Sequence, residues 1–226
     1  PVADVALRAR SRGARCFIDA TQAFGKVPFD LARLGATAVA LASHKIGGPA
    51  GAGALVVERG IEFVPRLLGG SQERGLRGGT EDVVALAGFG AATDALESRL
   101  RAMQRIGARR DALEAALLAL GAVSNAPTDR RVATVVNVSL PRWRSDWLVA
   151  ALDAEGLSAS SGAACAAGAV VRSPVIEALF PEDVARHGSA LRLSIGPETT
   201  DEMVDAAIAI LPVSYTHLRA HETVLD

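Results

Sequence analysis

The stretch that most constrains this chain runs from Thr37 to Gly53. Thr37-Ala38-Val39-Ala40-Leu41 is a short apolar run whose length and β-branched content fit a buried strand. Ala42-Ser43-His44-Lys45 follows at once, and Gly47, Gly48, Gly51 and Gly53 come within eight residues of the lysine. A strand ending in a lysine and a glycine-rich turn belongs in an α/β layer, where ligands gather beyond the carboxyl ends of strands. Composition sharpens the point. The chain has 24 Lys+Arg but only two lysines, Lys26 and Lys45, so arginine supplies its ordinary surface charge. A guanidinium keeps its proton in proteins, whereas a desolvated amine acts as a nucleophile, forms a Schiff base and later serves as a base. Taken alone, the pattern equally describes a lysine snorkelling at a strand end.

The flanking segments repeat the α/β rhythm. Val2 to Arg12 has helical spacing and Gly13 to close it, and Cys16-Phe17-Ile18 is a short strand with Cys16 as an inert core thiol. Pro28 to Leu34 reads as a short helix closed by Gly35, and Ala54 to Val57 as a further strand. This order predicts a parallel sheet with right-handed crossovers. Asp19-Ala20-Thr21-Gln22 leaves the carboxyl end of the first strand as Lys45 leaves that of the second. Together Asp19 and Lys45 make either a plain ion pair or the two groups that pyridoxal phosphate requires. In the second case the lysine bonds the cofactor, the carboxylate keeps the pyridine nitrogen protonated, and Gln22 meets the phenolic oxygen.

Further along, Gly69-Gly70-Ser71-Gln72-Glu73-Arg74-Gly75-Leu76-Arg77-Gly78-Gly79-Thr80 suits a loop that approaches a phosphate with amides and guanidinium forks. A flexible surface loop has the same composition. Thr80-Glu81-Asp82 opens a helical stretch over residues 83 to 120, with Thr80 as N-cap and Gly88, Gly90 and Gly107 as bends or breaks. A second unit begins near Gly121. It offers a strand over Val132 to Leu140, a helix over Ser145 to Glu155 ended by Gly156, and packing roles for Trp143 and Trp147. In Leu191-Arg192-Leu193-Ser194-Ile195 the alternation puts Arg192 and Ser194 on the face opposite the leucines. In a cleft, Arg192 is a bidentate clamp for a carboxylate; otherwise it is a solvated strand residue. Thr199-Thr200-Asp201-Glu202 is a capping box before the last helix. Between these, Ser158 to Ala169 holds only small residues and one thiol, Cys165, with no neighbour bulky enough to bury it.

Several function classes fall away. At 226 residues, 50% hydrophobic and 22% charged, the chain has material for a sizeable core, and a net charge of −1 argues against a nucleic-acid or membrane surface. No apolar run approaches the roughly 18 residues of a membrane span, and the first residues show no signal peptide. Two cysteines make no disulfide framework, so a cytoplasmic setting is expected. Residues 213–226 change character, holding the only tyrosine and two of the four histidines. They resemble the translation of a sequencing-library adapter and read as a non-native, disordered tail without metal-binding meaning.

Asp19-Ala20-Thr21-Gln22, Ser43-His44-Lys45, Arg77-Gly78-Gly79-Thr80, Ser160-Ser161-Gly162-Ala163-Ala164-Cys165 and Arg192-Leu193-Ser194-Ile195-Gly196 together resemble the cysteine desulfurases, pyridoxal-phosphate enzymes of the class V aminotransferase group. The resemblance runs from residue 1 to about 212, and the Ser-Ser-Gly-x-x-Cys loop is its specific part. It implies a carboxyl-terminal fragment of the fold-type I architecture. Residues 1–120 would be part of a mainly parallel α/β large domain with a connecting helix, and 121–212 a small α+β domain with the cysteine loop. It implies pyridoxal 5'-phosphate on Lys45, with Asp19, Gln22, Ser43, His44 and Thr80 around it, Thr80 reaching a phosphate across a homodimer interface. Arg192 would hold the carboxylate of L-cysteine, and Cys165 would take its sulfur and pass it to an iron–sulfur scaffold or another acceptor. The nearest alternatives are a class V aminotransferase or selenocysteine lyase, or a non-catalytic partner surface. Ala42 stands where the family often has a serine, so a phosphate contact is lost or moved to Ser43. Judged against the family's pattern, the amino-terminal half is absent, with its phosphate loop, ring-stacking residue and first strands.

Overall fold

Phe17-Ile18-Asp19 and Ala38–Ala42 alternate in burial, turning Ile18, Val39 and Leu41 inward, and pair as parallel strands. The structure, a computed structural model, describes the chain apart from Phe29, Thr128, residues 162–171 and residues 223–226; side chains beyond Val213 are likewise outside the description. The described chain packs as two units, Pro1–Arg101 and Ala102–Asp226.

In the first unit, helix α1 (Val2–Ser11) precedes β1 (Phe17–Asp19) and β2 (Ala38–Ala42), and Gly13 closes the helix with a left-handed φ of 70°. A 3-10 turn, Ser43–Ile46, leads to β3 (Gly53–Val57). The sheet order is β1-β2-β3, but β3 runs antiparallel to β2, so the parallel expectation holds only for the first pair. The reason lies in the connection. Residues 43–52 are too few for a crossover, and Gly47 and Gly51, at φ 84° and 91°, reverse the chain instead. The helix expected over Pro28–Leu34 is also replaced by turns. The Asp30 carboxylate accepts from the Ala32 amide at 2.9 Å, a local turn that competes with a helical nucleus.

Helix α2 (Val83–Asp94) is capped by Asp82, whose carboxylate accepts from the Ala85 amide at 3.0 Å, and not by Thr80. The break before α3 (Leu96–Ala119) comes at Ala95, and none of the three glycines interrupts a helix. A glycine costs a helix only about 1 kcal/mol, and at Gly88 close packing requires it. A Cβ there would lie 2.7 Å from the Pro49 ring, so Gly88 lets α2 seat against the chain leaving the 3-10 turn.

The second unit is an antiparallel sheet of order β4-β5-β7-β6, from β4 (Val123–Ser124), β5 (Val135–Ser139), β6 (Ser160–Ser161) and β7 (Ala190–Ser194). Val136, Val138, Leu191 and Leu193 join a core with Leu113 and Leu117 of α3, Leu148 and Leu152 of α4 (Ser145–Ala154), and Val204, Ala207 and Leu211 of α7 (Asp201–Glu222). Trp143 is buried there, while Trp147 is half-exposed beneath the Arg144 guanidinium. Two short helices, α5 (Pro174–Leu179) and α6 (Val184–His187), precede β7. Buried Glu114 is paired with Arg131 and accepts from Ser124 at 2.8 Å, which keeps its charge tolerable. Helix α7 continues through Pro212 to Glu222, where the sequence reading expected no order.

Candidate active site

The register of the first sheet brings two expected site residues to one end. Asp19 pairs with Ala40 in parallel β1 and β2, and Lys45 follows three residues after β2 closes at Ala42. Ala38, Ala40 and Ala42 share the Asp19 face, so their methyl groups leave the sheet open beside the carboxylate. Asp19 is exposed. Hydrogen bonds from Thr21, first its hydroxyl and then its amide at 2.9 Å, hold the Asp19 carboxyl below the usual carboxylate range.

Lys45 is half-buried in the 3-10 turn, and no carboxylate pairs with it among the described residues. Its neighbours are cations that sequence reasoning passed over. Burial first, then Lys45 and Arg99, push the Lys26 ammonium below its ordinary value. Lys26 donates to the side-chain oxygen of Gln22, which leaves the Gln22 amide NH2 as its outward donor. Arg99 packs so closely on the turn that a Cβ at Gly47 would lie 2.6 Å from its Nη2, and its buried Nε has no partner among the described residues. The Lys26–Gln22 spacing was open to a sequence reading, but the approach of Arg99 from α3 depends on packing.

The remaining residues divide. His44 is exposed on the same turn as Lys45. Ser43 is fully enclosed, with its Oγ unpartnered and only 2.2 Å from where a Gly48 Cβ would sit, so its hydroxyl serves packing rather than an open surface. Thr80 is exposed and lines a cleft of about 980 Å³ with Arg74, Arg77, Leu86 and Phe89; Lys45 and Asp19 do not line that cleft.

In the second unit, Arg192 lies on the sheet face opposite Leu191 and Leu193, as the alternation predicts. Its Nη2 donates to Ser160 Oγ at 3.2 Å, and its buried Nε has no partner among the described residues. Ser160 and Ser161 form β6, and Cys165 lies outside the described residues. The role of Ser160 is the other feature missed, because only strand register reveals it. Among the described residues no group of three or more His, Cys, Asp or Glu is placed to hold a metal ion, and no helix is long and apolar enough to cross a membrane.

With this geometry in hand, known proteins give a consistent picture. The family model described as aminotransferase class-V matches residues 1–207. A cysteine desulfurase of Rhodobacter capsulatus is 38% identical over 97% of this chain and 57% of its own length. An IscS-like cysteine desulfurase of Mycobacterium tuberculosis is 34% identical over 97% of this chain and 56% of its own. The chain therefore spans a little over half the length of the curated relatives it matches. Among solved structures, a NifS-like protein superposes with a TM-score of 0.84 at 27% identity, covering 95% of this chain and 57% of its own. SspA solved in complex with cysteine gives 0.67 at 28% identity, covering 88% and 55%. The neighbours share the fold-type I architecture that the sequence motifs implied.

Proposed function

The chain belongs to the aminotransferase class-V family, and from that premise we propose that it works as part of a pyridoxal-phosphate-dependent cysteine desulfurase. The observation behind this reading is the parallel β1–β2 pair, which sends Asp19 and Lys45 out at the same end of the sheet. The residues present fit the cofactor. Asp19 keeps its charge, the alanine side of β2 leaves room, and Lys45, Lys26 and Arg99 form a cationic group with an unpartnered buried Nε that a phosphate dianion would balance. Lys45, Asp19, Gln22 and His44 are the residues we assign to it, with Thr80 reaching the phosphate from the partner protomer; Ser43 of the expected set is enclosed. When bound, pyridoxal phosphate supplies an electron sink for negative charge at the substrate Cα.

The protein groups do the rest. Lys45 anchors the cofactor and, once free, removes the Cα proton of L-cysteine. Asp19 holds a proton on the ring nitrogen, and the Gln22 NH2 donates to the phenolic oxygen. Arg192 holds the substrate carboxylate. The Cys165 thiolate bonds to the substrate sulfur as the Cβ–S bond breaks. The electron pair stays with the carbon and is protonated, leaving L-alanine and a persulfide for a sulfur acceptor such as an iron–sulfur scaffold. The names of its desulfurase relatives and the SspA–cysteine complex support this substrate. We also propose a cytoplasmic setting, on the low cysteine count of the chain. We extend the proposal to a homodimer of the full-length enzyme.

The test is a pair of substitutions in the full-length, cofactor-loaded protein. Lys45→Ala should abolish borohydride-fixed cofactor and alanine release. Cys165→Ser should keep cofactor and bind cysteine, but form no persulfide and release alanine at a small fraction of the parental rate. Parental alanine release by Cys165→Ser would favour an aminotransferase or lyase, and normal turnover by Lys45→Ala would end the reading.

A further inference from the structure

Arg192 occupies the middle of a polar row across the second sheet, with Asn137 of β5 on one side and Ser160 of β6 on the other by register. Its environment is unusual for a charged group. It is half-buried, no carboxylate pairs with it among the described residues, and its Nε is buried without a partner. A cation so placed is stable only if something orients it and an anion arrives to balance it. Asn137 makes no hydrogen bond to Arg192 among the described residues, and its side-chain oxygen accepts from Asn125 Nδ2 at 2.9 Å. Asn125 is fixed in turn by Ser139 at 3.0 Å, so that side of the row is committed. The hydrogen bond that the guanidinium makes among the described residues goes to Ser160 Oγ at 3.2 Å.

We propose that Ser160 is the positioning residue for Arg192, and that through this hydrogen bond it sets the affinity of the site for the substrate carboxylate. The proposal rests on the reading of Arg192 as the carboxylate clamp. An arginine has four aliphatic and guanidinium torsions to order, and a bidentate grip needs its plane fixed before the ligand arrives. Ser160 fixes one nitrogen from a neighbouring strand and leaves the other donors for the ligand. Ser160 is assigned no part in anchoring the cofactor or removing the Cα proton, so its effect falls on binding and not on the chemical step.

The experiment uses the full-length, cofactor-loaded enzyme with Ser160→Ala, Ser160→Thr and Arg192→Lys. Steady-state cysteine turnover is measured beside the affinity for L-alanine and for ethylamine, which lacks the carboxylate, both followed by the visible spectrum of the bound cofactor. Ser160→Ala should raise KM for cysteine and Kd for L-alanine about tenfold, the effect of one hydrogen bond to a charged group. Its kcat should stay within about twofold, and its ethylamine affinity should not change. Ser160→Thr, which keeps the hydroxyl, should restore both constants. An unchanged KM in Ser160→Ala, with a raised KM in Arg192→Lys, would overturn the proposal and leave the clamp standing. No change in either variant would instead remove Arg192 as the clamp. A fall in kcat at constant KM in Ser160→Ala would also overturn it, placing Ser160 at the thiol-bearing segment instead.

Discussion

Asp19 owes its charge to hydrogen bonding and not to burial, since it is exposed and its partners are the hydroxyl and amide of Thr21. A carboxyl depressed in the folded state favours its ionised form. The stability it lends is therefore present above the unfolded value of about 3.9 and lost as pH falls through the folded one. Thr21→Val removes the hydroxyl and spares the amide. The Asp19 carboxyl, followed by carbon-detected NMR, should then titrate at higher pH than in the parent while staying below an ordinary aspartate. An unchanged titration would show that the hydroxyl is idle. At this scale much was legible, because the Asp19–Thr21 turn and the Ser43–Lys45 run are contiguous in sequence. Arg99 was not, because it reaches Gly25 and Gly47 across more than fifty residues. Nor was the enclosure of Ser43, whose hydroxyl lies where a Gly48 Cβ would sit.

Elements form where one local preference meets one packing demand, and α7 shows both. Its first turn is capped by Thr200 Oγ1, which accepts from the Met203 amide at 3.2 Å, and Arg109 of α3 ties the same turn down. The Arg109 Nε donates to Asp201 at 2.6 Å, and this bond above all holds the Asp201 carboxyl low. Thr200→Ala should cost about 1 kcal/mol of stability by loss of the cap. Asp201→Asn should lower Tm at neutral pH. The difference from the parent should vanish on acidification through the depressed Asp201 value, since both proteins are then neutral there. A Tm difference that persisted in acid would mean that Asp201 acts through packing, not charge. The Arg192 alternation was legible as a local period. The capping box over residues 199–202 was read one residue early: Thr200 caps α7 through the Met203 amide, and Thr199 Oγ1 accepts from the Gly196 amide instead. The direction of β3 was not read correctly, although residues 43–52 held the clue: glycines at 47 and 51 reverse a chain more readily than they begin a crossover. Pro28–Leu34 misled for the opposite reason, since apolar spacing over one turn cannot outweigh an Asp30 turn.

Taken whole, the molecule has two unequal cores. The second unit encloses Leu117, Val136, Val138 and Leu191 almost completely between its sheet and α3, α4 and α7. Among the described residues the first encloses Ala20, Val39 and Leu41 in its sheet cluster, with Ala6, Ile46 and Ala85 also buried, and leaves Leu68 85%, Val84 84%, Val64 76% and Phe17 63% exposed. Large side chains left in water forgo about 1.5–3 kcal/mol each, which is a heavy loss against net stabilities of about 5–15 kcal/mol. Residues 96–213, which keep α3 intact, should therefore fold alone with a cooperative melt. Residues 1–95 should not, and should bind a dye specific for exposed apolar surface. In the chain as given, the first unit should open well before the second, hold cofactor weakly and release no alanine from cysteine. Calorimetry on the three polypeptides, with dye binding and alanine release alongside, decides the matter. Cooperative melting of residues 1–95, or a single sharp transition with activity for the whole chain, would show that this exposed apolar surface costs the fold nothing.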